Sequence, residues 1–391
     1  MDTKQKLNRL ILITVLFTLG MVFSDVFVNI FIWRLESSFS LIIIYSLSSF
    51  IVIPFAFYLL GHLCRKTDRV NIYKIGILLY ALFYLAVIIF NENVVNHLIP
   101  IGILRGAAMG FYWFGYHILT YDYTVPANRD RFYSYASIAS GVSSMFAPPI
   151  AGYIIVTFTN FTGYYTIFAI TAVLLTGAMI LSTSLHSTPI NHPHKIKDLI
   201  FSGSRRWRGV MQAYFFLTAK DSIQLFLFAV LIVKVSGSEF TFGKIAMIFA
   251  SLVILTAFLM GKVSRPENRT GFVFAGCVLQ LFGACFLLYE INLITLIIHS
   301  IFNPVGDQMM RIPMQAYTLD VMGEDKDIES RKMEYLAARE IPIAIGRIIT
   351  LLIFMAFIQY LPVSGLKAII LLISLLPFGA WAAMRFNSRN T

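Results

Sequence analysis

Charge is scarce in this chain. Only 13% of its 391 residues are Asp, Glu, Lys or Arg, against about 25% in a soluble domain. So few charges cannot clothe a water-facing surface, which excludes an ordinary soluble globular protein. Cysteine is scarcer still: Cys64, Cys277 and Cys285 sit in or beside apolar runs, leaving neither a disulfide framework nor metal-ligand spacing. The sequence has no Gly-rich nucleotide loop and no His-Glu-x-x-His, so neither catalysis nor ATP hydrolysis is expected of it, and no cofactor or metal. Acids are the minority charge, 20 against 31 Lys and Arg, for a formal net charge of +11. The basic residues are spread over many short loops and not gathered on one face, so nucleic acid is not the expected partner.

What is abundant is apolar sequence: 58% hydrophobic residues and a mean hydropathy of +0.76. A bilayer core of about 30 Å takes roughly 20 apolar residues per helix. Twelve runs meet that length, near 8–33, 40–61, 72–91, 97–121, 134–157, 163–185, 209–234, 241–261, 271–289, 291–319, 333–360 and 363–385. In lipid the backbone must satisfy its hydrogen bonds within the segment, so the expected fold is an all-α multi-pass membrane protein. The ninth and tenth runs nearly touch and divide at Glu290, because together they are too long for one span. The first run follows a basic start and lacks a small-residue cleavage pattern, so it is read as a retained helix.

Lys and Arg set the expected orientation. The two ends and the even-numbered links hold 22 of them, the odd-numbered links only four. The positive-inside rule puts both termini in the cytoplasm and the protein in the cell membrane, with lipid as its surroundings.

Two signatures recur 200 residues apart. Gly61-x-x-x-Arg65-x-x-Asp68-Arg69 returns as Gly261-x-x-x-Arg265-x-x-Asn268-Arg269, and Arg131-x-x-x-Tyr135 returns as Arg331-x-x-x-Tyr335. The chain therefore divides into a six-helix bundle over 1–185, a cytoplasmic linker over 186–208 and a second six-helix bundle over 209–391. Duplicated helical bundles are a common transporter plan. The linker carries His186, His192 and His194 and a basic end at Arg205, Arg206 and Arg208, and reads as a solvated segment near anionic headgroups.

Twelve helices in two halves with this loop after the second and eighth resemble the major facilitator superfamily along the whole chain. Its loop motif is matched at Gly61, Arg65, Asp68 and Arg69 but not at its first acidic position. Ala147-Pro148-Pro149-Ile150-Ala151-Gly152 resembles the family's antiporter motif, with two glycines replaced by alanine. Arg105-Gly106 resembles the family's intramembrane arginine motif on the fourth helix. The resemblance implies gating roles for Gly61, Arg65, Asp68, Arg69, Gly261, Arg265, Arg269, Pro148, Pro149 and Gly152, and a part for Arg105 in proton coupling. Physically, Gly61 and Gly261 let helix ends approach closely, and the two prolines bend the fifth helix.

Charges inside apolar runs carry the functional expectation. Each costs about 2.5–3.5 kcal/mol at the bilayer centre even on the lenient scale, so it faces the bundle interior or a wet cavity. The first helix places Asp25 one turn from Asn29, and the seventh places Asp221 with Gln224 on its face. Lys220 points about 100° away from Asp221 on the helical wheel and is not expected to pair with it. Asp307 and Arg311 stand at i,i+4, and Glu340 and Arg347 two turns apart. Asp25 has no charged partner on its own helix, so it takes a proton or a partner elsewhere, with Arg105 the candidate. Asp25, Arg105 and Asp221 are the proton-coupling candidates. Asn29, Tyr112, Trp113, Tyr116, Gln224, Asp307, Arg311, Glu340 and Arg347 are the substrate-cavity candidates. The expected function is secondary transport of a small or amphipathic organic solute by alternating access. It is driven by the proton gradient, by antiport and outward, in a monomer. The alternatives are a lipid or glycolipid flippase on the same fold, or a non-transporting membrane sensor or assembly factor.

Overall fold

The computed structural model describes residues 3–63, 68–123, 126–185, 199, 203–360 and 364–388, and leaves undescribed the side chains of 126–139 and a few other residues. Arg65, Cys64 and linker residues 186–198 and 200–202, with the three histidines, lie outside the described residues, as do the side chains of Arg131 and Tyr135. Among the described residues twelve α-helices follow one another: α1 Thr3–Glu36, α2 Phe39–Leu63, α3 Arg69–Phe90, α4 Leu98–Tyr123, α5 Pro126–Thr157, α6 Thr162–Ser182, α7 Arg205–Ser236, α8 Glu239–Val263, α9 Arg269–Tyr289, α10 Leu293–Gly323, α11 Ile328–Tyr360 and α12 Ser364–Ser388. A short 3₁₀ turn, Asn91–His97, joins α3 to α4. The architecture is the expected all-α one.

Several helices outrun their apolar stretches. α5 starts at Pro126 and α11 at Ile328, each several residues ahead of its hydrophobic run. Hydropathy marks the lipid-buried part, whereas backbone hydrogen bonding continues into water. Among the described residues ten stretches are long and apolar enough to cross a membrane, one of them covering α3 and α4 together. α10 is not among them: its apolar first half is diluted by His299, Asn303, Asp307 and Gln308.

Local chemistry sets the breaks. Asp68 caps α3 by accepting the Val70 N–H at 2.9 Å. Gly237 closes α7 in the left-handed region at φ 72°, where a side chain would be strained. Between α9 and α10 the chain turns extended at Glu290, and Asn292 with Thr295 forms a reciprocal capping box. That box makes the break between the two touching runs a defined helix start.

The chain forms two compact units, residues 1–192 with 238–247, and 193–237 with 248–391. The first ten residues from Ser238 thus group with the first unit, although the sequence repeat assigns them to the second half. The same helix pairings recur in each unit. The first helix packs on the fifth and sixth, and the third on the fourth and sixth: α1 on α5 and α6, α7 on α11 and α12, α3 on α4 and α6, α9 on α10 and α12. Close approach is bought with glycine. A Cβ on Gly106 of α4 would lie 2.3 Å from the Ser49 carbonyl oxygen of α2, and Gly276 and Gly306 face each other's carbonyls in the same way across α9 and α10. The first unit's core is aromatic, with Phe31 against Phe161, Tyr164, Tyr165 and Phe168. The second unit's core centres on Trp207, Leu217, Met310, Met314 and Tyr335.

Candidate functional site

Intramembrane charge collects at one place in each unit. In the first, Arg105 of α4 reaches Asp25 of α1. Its Nε donates to Oδ1 at 3.1 Å, and its Nη2 donates to Oδ1 at 3.0 Å and to Oδ2 at 2.9 Å. Asp25 thus has its charged partner on a different helix. The guanidinium is almost fully buried, while Asp25 keeps 28% side-chain exposure. Tyr45 lies under the guanidinium at 5.6 Å from the ring centroid. Ser24 does not support Asp25; its hydroxyl instead meets Thr171 and the Ile167 carbonyl of α6.

In the second unit four charges interlock. Arg311 of α10 donates to Asp221 of α7 at 2.5 Å and to Asp307 at 2.5 Å. Lys220 donates to Asp307 at 2.7 Å and stands 3.6 Å from Asp221. The expectation that Lys220 and Asp221 stay apart is therefore corrected. The Lys220 stem is long and flexible, and Asp307 draws the ammonium to where both carboxylates are in reach. The two places are built on one plan: the first helix of each unit supplies a carboxylate and the fourth supplies an arginine. The second unit adds a lysine and a second carboxylate.

The remaining candidates are spread more widely. Asn29 is buried, and its side-chain oxygen has no hydrogen-bond partner. Gln224 borders a small cavity with Lys220, Gln280, His299 and Asn303. Glu340 lies 3.5 Å from its neighbour Arg339, whose guanidinium also sits 4.9 Å over the Tyr214 ring. The aromatic candidates of α4 sit in different surroundings. Tyr112 is packed into the core, stacked on Phe17 at 3.4 Å and on Tyr116 at 5.9 Å. Trp113 is 40% exposed. Helical spacing put these rings near one another but could not tell an inner face from an outer one.

The gating candidates divide. Among the described residues nothing stands within 4 Å of a Cβ built on Gly61 or Gly261. Arg69 is buried. Arg269 pairs with Asp320 at 2.5 Å. Asn268, in the place of Asp68, accepts the Arg265 N–H at 2.7 Å and donates to the Val263 carbonyl at 2.9 Å. Pro148 and Pro149 lie inside α5, and a Cβ on Gly152 would meet the Glu239 carbonyl oxygen at 2.5 Å. Glu239 itself escaped the sequence reading. Its Oε1 accepts from Arg34 Nε at 2.6 Å and from the Tyr164 hydroxyl at 2.6 Å, all within the first unit. A lone acid at a helix start looks like a loop residue, and no local spacing connects it to α1 and α6.

A model of the Major Facilitator Superfamily matches residues 10–327. The chain belongs to the Major Facilitator Superfamily. Its membership supports a membrane transporter and points to transport rather than catalysis. A relative in Bacillus subtilis (strain 168), the uncharacterized protein YqgE, is 29% identical over 363 residues, 92% of this chain and 84% of its own. An uncharacterized protein from the sodM 3′ region of Geobacillus stearothermophilus is 30% identical over 159 residues, 41% of this chain and 74% of its own. Among solved structures, a bacterial homologue of the iron transporter ferroportin in its inward-facing state has a TM-score of 0.71 at 12% identity, covering 100% of both chains. A POT family transporter in complex with 5-aminolevulinic acid has a TM-score of 0.72 at 10% identity, covering 98% of this chain and 96% of its own. At such identities these structures speak to the superfamily fold alone.

Proposed function

We propose that this superfamily member exports a small or amphipathic organic solute across the cytoplasmic membrane in exchange for protons, by alternating access. The observation that carries the reading is the Asp25–Arg105 pair, joining α1 to α4 within an apolar bundle. An ion pair in such surroundings is a costly way to gain stability. It serves well as a switch. With Asp25 ionised the pair is neutral and holds. A proton on Asp25 removes the attraction and leaves Arg105 charged and free to take another partner. Outward direction follows from the antiporter-like stretch at Pro148 and Pro149. The energy is the proton gradient, with no cofactor. Both termini face the cytoplasm, and the monomer surrounded by lipid is the working unit.

The test is Asp25→Asn in proteoliposomes. Solute uptake driven by an imposed pH gradient is expected to vanish, while gradient-free exchange and the thermal melting profile are retained. Full gradient-driven uptake by this variant would remove Asp25 from the coupling step.

A further inference from the structure

The second unit holds a polar cavity that the charge network does not use. It is lined by Lys220, Gln224 and Phe228 of α7, Gln280 of α9, His299 and Asn303 of α10, and Ile373 and Ser374 of α12, with about 10 Å³ of free volume. That is room for about one water molecule. Its walls carry hydrogen-bonding capacity without partners. His299 is 4% exposed and lies 4.1 Å from the Phe228 ring; one ring nitrogen faces the Gly283 backbone of α9, and the other has no partner among the described residues. Gln280, 2% exposed, donates through Nε2 to the Asn303 carbonyl at 3.1 Å, but its Oε1 has no partner among the described residues. The Lys220 ammonium has three N–H donors, and its two carboxylate neighbours, Asp307 and Asp221, account for at most two of them.

We propose that this cavity binds a single water molecule that joins His299 to the Lys220–Asp307 pair. Such a water accepts from Lys220 and donates to Gln280 Oε1 and to the unprotonated His299 nitrogen. Three polar partners satisfy it, within the usual two to four for a buried water. Other occupants fit less well. A metal cation would meet the Lys220 ammonium, and an anion would meet Gln280 Oε1 and exceed the space. The titratable groups around His299 are Lys220 on α7, which lines the cavity, Asp307 behind it on α10, and Cys277 on α9, whose Sγ lies 3.5 Å from Met310 Sδ. The bridge makes His299 a fifth member of the network, linked through hydrogen bonds to a carboxylate on its own helix.

The experiment uses the full chain labelled with ¹⁵N-histidine. The His299 signal is assigned by its loss in His299→Gln. In the wild type the ring is expected to show cross-relaxation to a bound water, with one nitrogen protonated and the other an acceptor. Gln280→Leu, which removes the acceptor and fills the space, is expected to abolish the water contact. If that variant does not fold, a high-resolution density map of the wild type decides. A peak within hydrogen-bond reach of Lys220 Nζ, Gln280 Oε1 and His299 supports the site. A dry cavity, or a water contact unchanged in folded Gln280→Leu, overturns it. Because no readout uses transport, these outcomes stand apart from the success or failure of the proton-coupling reading.

Discussion

The two halves solve one problem with different redundancy. Each places a carboxylate on its first helix against an arginine on its fourth, Asp25 with Arg105 and Asp221 with Arg311. The first half stops there. The second adds Lys220 and Asp307, so every charge has two opposite neighbours. A two-membered pair changes state when one proton arrives. A four-membered ring keeps some of its contacts when one member is neutralised. On the proposed coupling, the first half is the one suited to switching and the second the one suited to holding its shape.

Neutralising the matching acids tests this contrast most strongly. Asp25→Asn is expected to abolish gradient-driven transport, and Asp221→Asn to lower it by less than about tenfold, the equivalent of about 1.4 kcal/mol. Equal losses in proteoliposome assays would break the comparison. Packing offers a second contrast. Gly106→Ala forces a methyl against the Ser49 carbonyl and is expected to cost about 1–3 kcal/mol, read as a lower melting temperature. Gly261→Ala enters open space and is expected to stay within about 0.5 kcal/mol of wild type.

The halves should also share an orientation. Cysteines at Asn93 and Gly237 are expected to react with an impermeant thiol reagent from outside, and those at Ser204 and Asn268 not to react. A reversed pattern in one half alone would end the case for two equivalent bundles. The smallest effect belongs to Asp325, in the α10–α11 turn. Partial burial pushes its pKa up, but the Asp327 N–H, the Tyr335 hydroxyl and Arg331 together hold it below the usual carboxylate value. A depressed carboxylate stabilises the fold above its unfolded pKa, and that contribution is lost as pH falls through the folded value. Asp325→Asn should therefore cost less than about 1 kcal/mol at neutral pH and lose its difference from wild type in acid, as read by melting temperature against pH.

Much of the fold was legible because lipid simplifies the code. Apolar runs of sufficient length become helices, and the split at Glu290 follows from length alone. The Asp307–Arg311 pair was legible because i,i+4 spacing fixes geometry within a single helix. Partners on different helices were not. Helical-wheel angles misjudged Lys220, whose stem reaches past its own Cβ direction. No local spacing marks His299 or Gln280, whose neighbours come from other helices. Tyr112 and Trp113 could not be sorted into core and periphery, because aromatic side chains suit lipid and interior alike. Gly61 and Gly261 repeat faithfully in sequence, yet repetition reports common ancestry and not contact.

The grip of Arg105 on Asp25 has a consequence in terms of exclusion. Both Nε and Nη2 are spent on the same carboxylate. Asp25 holds the whole of that Nε–Nη2 edge, whereas Arg311 divides the same edge between Asp307 and Asp221. Any other anionic group that seeks that fork must first evict Asp25, and the evicted carboxylate then needs a new source of positive charge. A proton is the smallest that serves. On the proposed coupling, occupancy of the arginine and neutralisation of the aspartate become alternative statements of one event, which is the logic of an exchange.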